Sequence, residues 1–172
     1  MLFSVPREAG DALLWSIKAM DDATERVNRI PASDLAAGFA AIGESVWWIT
    51  IVDDTLRRTY RAEYKQAFKL TFPDPKDTLE GLRSVRNRVG HEVDLVSFIE
   101  PVASRSDRGD GRITAWAWRS VSPPKRRDDR LHEAYERALA GQNIWQPFGL
   151  ATGFFSQVAR IFNGEIGDAV AK

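Results

Sequence analysis

Four stretches of this chain repeat apolar residues at steps of three and four, and that rhythm constrains the fold more than any other feature. Such spacing puts side chains on one face of an α-helix and not on one face of a strand. The first stretch carries Leu13, Ile17, Met20, Val27 and Ile30. It predicts a helix from about Arg7 to Arg29, stopped by Pro31. The second carries Leu35, Phe39, Ile42, Val46, Ile49, Leu56 and Tyr60. Ser33 is the expected N-cap with Asp34 in the first turn, and the helix is expected to reach about Phe68. After the turn at Pro73-Asp74-Pro75, Asp77 or Thr78 caps a third helix with Leu79, Leu82, Val89, Val93 and Val96, expected to end near Val96.

Residues 101–127 break the rhythm. Asp107, Gly109, Asp110 and Gly111 are turn formers, and Ile113-Thr114-Ala115-Trp116-Ala117-Trp118 reads as a strand. Pairing with Val102–Ser104 makes a small β-hairpin insert near 101–122, closed by Pro123-Pro124. A fourth helix follows, capped by Asp128 or Asp129 and ended by Gly141. A fifth begins near Pro147, carries Leu150, Phe154, Phe155, Val158, Ile161 and Phe162, and stops at Asn163-Gly164. Its aromatic stripe is read as core rather than as a cofactor pocket. The expected fold is mainly α: a helical bundle of about five helices with a hairpin insert, in one domain spanning 1–172.

Composition excludes several chemistries. There is no cysteine, so disulfides, thiolate metal sites and thiol catalysis are ruled out. With two histidines and no cysteine a structural zinc site is not expected, and neither a metal nor a cofactor is predicted. His132 lies among Asp128, Asp129 and Glu133 and reads as a solvated surface residue. The 24 basic and 24 acidic residues cancel, so any anion binding must be local. Met1–Gly10 lacks the pattern of a signal peptide, and the apolar run Val46–Val52 is far short of the roughly 20 residues of a membrane span. A cytoplasmic location, without a membrane, is the expectation.

Two polar residues interrupt the apolar faces. Asp53 fills the step between Ile49 and Leu56, and Arg86 fills the step between Leu82 and Val89. Each is costly in a core unless paired. Either Asp53 sits at the edge of its stripe, or it pairs across to Arg86. Downstream of Arg86, Asn87 and His91 are four apart and share a helix face, whereas Arg86 and His91 stand about 140° apart on an ideal helix. Convergence then requires a deformation at Gly90, an Arg86 side chain that wraps around, or sets contributed by two chains. Leu95 and Phe98 near the His91 face would suit a partner subunit. An imidazole that titrates near neutrality can exchange protons with a ribose hydroxyl or a leaving oxygen, and a guanidinium can stabilise phosphoryl charge.

The segment Arg86-Asn87-Arg88-Val89-Gly90-His91, with Gly81-Leu82-Arg83-Ser84-Val85 before it, resembles the motif of the HEPN superfamily, in which Arg precedes His by four to six residues. The resemblance covers residues 33–100. It implies a helical bundle, commonly a homodimer, that acts as a metal-independent ribonuclease in toxin–antitoxin or phage-defence systems. Arg86 and His91 would be the catalytic pair, with Asn87 as a polar partner and Asp53 and Arg88 in support. RNA would be the substrate, bound also by Arg83 and by the basic run Lys125, Arg126 and Arg127, and an antitoxin protein is a further implied partner. The family's toxins place Tyr two residues after the His. Here that residue is Val93, so control by modification of that Tyr is not expected. Two other readings stay open. One is a non-catalytic module in which Arg86 and Asp53 only fix helix packing. The other is an RNA or nucleotide binder that uses Lys125–Arg127 and the faces of Trp116 and Trp118.

Overall fold

The structure is a computed structural model that describes residues 10–31, 33–92, 97–105, 112–123 and 129–165, with backbone alone at 90–92, 103–105, 112–114 and 129. Within these residues the chain forms helices α1 (Asp11–Arg29), α2 (Leu35–Thr59), α3 (Arg61–Leu70) and α4 (Lys76–Glu92). These are followed by strands β1 (Ile99–Arg105) and β2 (Arg112–Trp118), then α5 (Asp129–Ala138) and α6 (Trp145–Phe162). The fold is mainly α with one small antiparallel hairpin, as the periodicity predicts. Of the expected boundaries, Arg7, Val93 to Val96 and Asp128 lie outside the described residues.

Capping differs in detail from expectation. Asp34, not Ser33, caps α2, its Oδ1 accepting from the Ala37 amide at 3.1 Å. At α4, Asp74 Oδ1 accepts the Lys76 amide at 2.9 Å, so the helix starts before the expected Asp77 or Thr78. In both cases the carboxylate nearest the first free amides takes them, as helix starts require.

The expected helix over 34–68 is two helices. The chain leaves helical geometry at Tyr60 (φ −116°, ψ 52°) and resumes at Arg61. No Pro or Gly marks the break, and the apolar step Leu56, Tyr60, Tyr64 runs straight through it, so periodicity alone predicts continuity. The tertiary contacts show what the break achieves. Tyr60 stacks edge-on against Phe162 of α6 at 4.7 Å, and Tyr64 does the same against Phe154 at 4.9 Å. In a straight helix Asp53 and Tyr64 would stand about 16 Å apart along the axis. The bend brings the Tyr64 hydroxyl to 2.5 Å from the Asp53 carboxylate.

Helix α2 is the centre of the bundle, contacting α1, α3, α4 and α6. By length and composition alone it is also apolar enough to cross a membrane. The short run Val46–Val52 conceals this, because Ala36, Ala37, Gly38, Ala40 and Ala41 extend the apolar window toward its start. Ile42, Val46, Ile49, Val52 and Leu56 enter one continuous core with Leu13, Ile17 and Met20 of α1, Leu82 and Val85 of α4, and Phe154, Phe155 and Val158 of α6.

The hairpin is an integral wall of that core. Its strands pair from Ile99 with Trp118 to Arg105 with Arg112. The outer edge of β2 is capped by the segment after α5: Trp118 N–H donates to Gln142 O (2.9 Å) and Gly141 N–H to Trp118 O (2.8 Å). This pairing covers an edge that would otherwise present free backbone groups. Trp116 and Trp118 are 3% and 1% exposed. Neither offers a face for RNA stacking, and the hairpin-packing role accounts for both.

Trp116 lies directly on Gly38 of α2. A Cβ built there would stand 2.0 Å from a ring carbon of Trp116. Gly38→Ala is therefore expected to destabilise the fold by about 2 kcal/mol: the overpacking penalty exceeds the helix-propensity gain of about 1 kcal/mol. Gly153→Ala in α6, where nothing lies within 4 Å, is the control and is expected to stabilise slightly. Urea midpoints moving the same way for both variants would contradict this packing.

Candidate functional site

The site lies where the last turns of α2 face the middle of α4. Asp53 and Asp54 come from α2; Arg83, Arg86 and Asn87 come from α4. The apolar face of α4 is built by Leu79, Leu82 and Val85, all nearly solvent-free. Val85 thus takes the core position that the sequence rhythm assigns to Arg86. Arg86 stands one residue on, at the rim, with its side chain 28% exposed.

The buried carboxylate on α2 is Asp53, 1% exposed, and its partner is not Arg86. Its two oxygens accept from Arg83 and from the Tyr64 hydroxyl. Arg86 turns to the neighbouring Asp54, with Nη1 at 3.6 Å from Oδ2. The difference is one helical turn: Arg83 sits level with the deeper acid, and Arg86 sits level with the shallower one. Asp54 also meets Arg57 at 2.8 Å and Arg83 at 3.9 Å, so two acids, three arginines and one tyrosine form a connected network. Asp54, Arg57 and Tyr64 escape a sequence reading that follows single interruptions of a stripe. The adjacent acids Asp53-Asp54, with Arg57 three residues on, are the signal that would reveal them.

Burial pushes the Asp53 carboxyl above the ordinary aspartate value, with the Arg83 charge and the two hydrogen bonds opposing it. Burial also pushes the Tyr64 hydroxyl up, and the Asp53 charge adds to that. For Arg83, burial favours the neutral form, but Asp53, Tyr64 and Asp54 outweigh it and the value rises. The partners thus respond unequally to one contact. Depth explains this, because the Arg83 side chain is 18% exposed and keeps some hydration that Asp53 lacks. Since the folded pKa of Asp53 lies above its unfolded value, its titration favours the fold fully below the ordinary value of 3.8, and that contribution is lost as pH rises through the raised value. The stability of wild type relative to Asp53→Asn is therefore expected to fall as pH rises from 3.8 to the raised value and to level off above it. Urea midpoints measured from acid to neutral pH check the sign.

Arg86 also donates to the side chain of its neighbour. Its Nη2 and Nε lie 3.0 and 3.3 Å from Asn87 Oδ1. Asn87 lies four residues before His91 on the same unbroken helix, so the two share a face. The Arg86 guanidinium is thus shared between the Asn87 amide oxygen on its own helix and Asp54 of α2. The His91 side chain lies outside the described residues, as do Lys125, Arg126 and Arg127. Arg88 belongs elsewhere. Its Nη1 donates to Ser122 O at 3.0 Å and its guanidinium lies 4.8 Å over the Phe98 ring, tying α4 to the hairpin. Among the described residues no group of three His, Asp or Glu side chains could hold a metal ion.

No protein family, curated protein sequence or solved structure matches this chain.

Proposed function

We propose that the protein is a metal-independent endoribonuclease of the HEPN type, acting in a bacterial toxin–antitoxin or phage-defence system, with His91 and Arg86 as its reacting groups. The observation that supports this reading is the Arg86 guanidinium, held by Asn87 Oδ1 and partly open to solvent. A phosphodiester placed there meets a forked cation whose orientation is already set.

In the proposed reaction the ribose 2′-oxygen attacks the adjacent phosphorus as its proton passes to a base. The bond to the 5′-oxygen breaks as that oxygen gains a proton, leaving a 2′,3′-cyclic phosphate and a 5′-hydroxyl. His91 supplies one of these proton transfers. Arg86 stabilises the charge that builds on the non-bridging oxygens. Asn87 acts as a positioning residue through Arg86. A second copy of the chain, contributing the same pair across a shared cleft, supplies the other transfer, so the active form is a homodimer. An antitoxin protein that covers the cleft and a cytoplasmic location belong to the same reading.

One observation favours a second reading. Arg86 already has an acidic neighbour, and the surrounding arginines and acids form an ion-pair network. Such a network can serve helix packing alone, in a non-catalytic RNA-binding or protein-interaction module. Wild type and His91→Ala, incubated with mixed RNA in EDTA, separate the two. The enzyme reading expects cyclic-phosphate ends from wild type and a loss of about 10²- to 10⁴-fold in the variant. A folded wild-type protein that leaves RNA intact, or cleavage indifferent to His91, favours the module.

A further inference from the structure

Beside the Arg86 site, between α3 and α4, lies an open cleft of about 280 Å³. Its floor is apolar, made by Leu79 of α4 with Tyr64 and Phe68 of α3. Phe68 is the floor ring more open to solvent, since Tyr64 is buried. The rim is cationic: Arg57, Lys76 and Arg83 line it against the single acid Glu80. That acid is engaged by Arg130 at 2.5 Å. Lys76 is exposed and has no ion-pair partner among the described residues. Arg57 and Arg83 are held by Asp54 and Asp53, so Lys76 is the exposed cation left over the aromatic floor.

The cleft and the Arg86 site are parts of one track. Lys76 and Arg83 are seven residues apart and fall on one face of α4, and Arg86 follows one turn later. Arg83 and Arg86 both lie within 4.0 Å of Asp54, so they point to the same side. From Lys76 to Arg86 is about 15 Å along the axis, which takes more than one nucleotide of an extended strand. A row of cations that tracks a backbone, beside a ring on which a base can lie, is the arrangement that holds single-stranded nucleic acid.

We infer that the α3–α4 cleft, with Lys76 and Arg83 at its rim and Phe68 in its floor, is a subsite that binds a nucleotide of single-stranded RNA upstream or downstream of the phosphate held at Arg86. It rests on the reading that Arg86 meets an RNA phosphate. Lys76 contacts a phosphate as a point charge, and the Phe68 ring takes the base. The subsite extends recognition beyond the scissile bond, so RNA length and the base at this position affect affinity.

The test measures binding apart from cleavage. Full-length protein is titrated against a fluorescent 2′-O-methyl hexaribonucleotide, which lacks the attacking hydroxyl, and against the corresponding dinucleotide. Wild type is expected to bind the hexamer roughly tenfold more tightly. Lys76→Glu, at an exposed position, is expected to abolish most of that gain and to lower the salt slope of binding by about one. Phe68→Leu, checked for folding by circular dichroism, is expected to weaken the hexamer several-fold and the dinucleotide little. Unchanged hexamer affinity and salt slope in Lys76→Glu overturn the subsite, whether or not the wild type cleaves RNA. Lys76-dependent hexamer binding by a protein that never cleaves supports the subsite and removes the nuclease instead. A polyglutamate peptide that displaces the hexamer at equal concentration overturns the RNA assignment in favour of an acidic protein segment.

Discussion

Replacing Asp53 by alanine is expected to lower the folding free energy by roughly 3 kcal/mol, read as a shift of the urea midpoint at neutral pH. The carboxylate is 1% exposed and joins three elements: its own helix, Tyr64 of α3 and Arg83 of α4. Removing it leaves a mostly buried guanidinium without its counter-charge and a buried phenol without its acceptor, and unmet desolvation dominates the loss. The same argument predicts a rescue. Asp53→Leu combined with Arg83→Met and Tyr64→Phe removes every member of the buried set together, and is expected to come within about 1 kcal/mol of wild type. If the single change costs under 1 kcal/mol, or the triple variant is as unstable as the single changes summed, the network does not hold α2, α3 and α4 together in the way described.

This network marks the boundary of what the sequence makes legible. The helices, the hairpin and the core-facing side of the last helix follow from periodicity and turn residues, because burial of an apolar stripe is a local property of the chain. The presence of a buried acid on α2 and of arginines opposite it is equally legible, since charges that interrupt a stripe need partners. The choice of partner is not. Arg83 and Arg86 differ by one turn, and which of them meets Asp53 depends on how far α4 slides along α2. That placement is set by the packing of α4 against several elements at once, such as the close approach to α5 that Gly81 permits, where a Cβ would stand 2.7 Å from Leu139 and 3.1 Å from the Tyr135 backbone. The break at Tyr60 is likewise set by what α6 offers, namely the rings of Phe154 and Phe162, which lie some hundred residues away in the chain. Of the candidate site, Arg86 and Asn87 touch each other, while Arg88 serves the hairpin.

Arg86→Ala is expected to reduce RNA cleavage by about 10²- to 10³-fold while changing stability by no more than about 1 kcal/mol. The two halves of that expectation have separate physical sources. The contact of Arg86 with Asp54 is 3.6 Å long and partly solvated, Asp54 keeps Arg57 at 2.8 Å, and the bond to Asn87 joins neighbours on one helix. None of these is a buried pair whose loss strands a charge, so the fold tolerates the change. A guanidinium beside the phosphate, by contrast, does its work only as charge develops on the non-bridging oxygens, so its loss falls on the rate. Arg86→Lys sharpens the distinction. It keeps the charge but not the planar fork that grips Asn87 Oδ1, and is expected to recover only part of the rate because a point charge is not held in place. Asn87→Ala, which frees the guanidinium without removing it, is expected to fall between wild type and Arg86→Ala. If Arg86→Ala cleaves RNA as wild type does, or if the midpoint falls by as much as it does for Asp53→Ala, then Arg86 is a packing residue like Arg83 and the phosphate has no cation waiting for it on this face of α4.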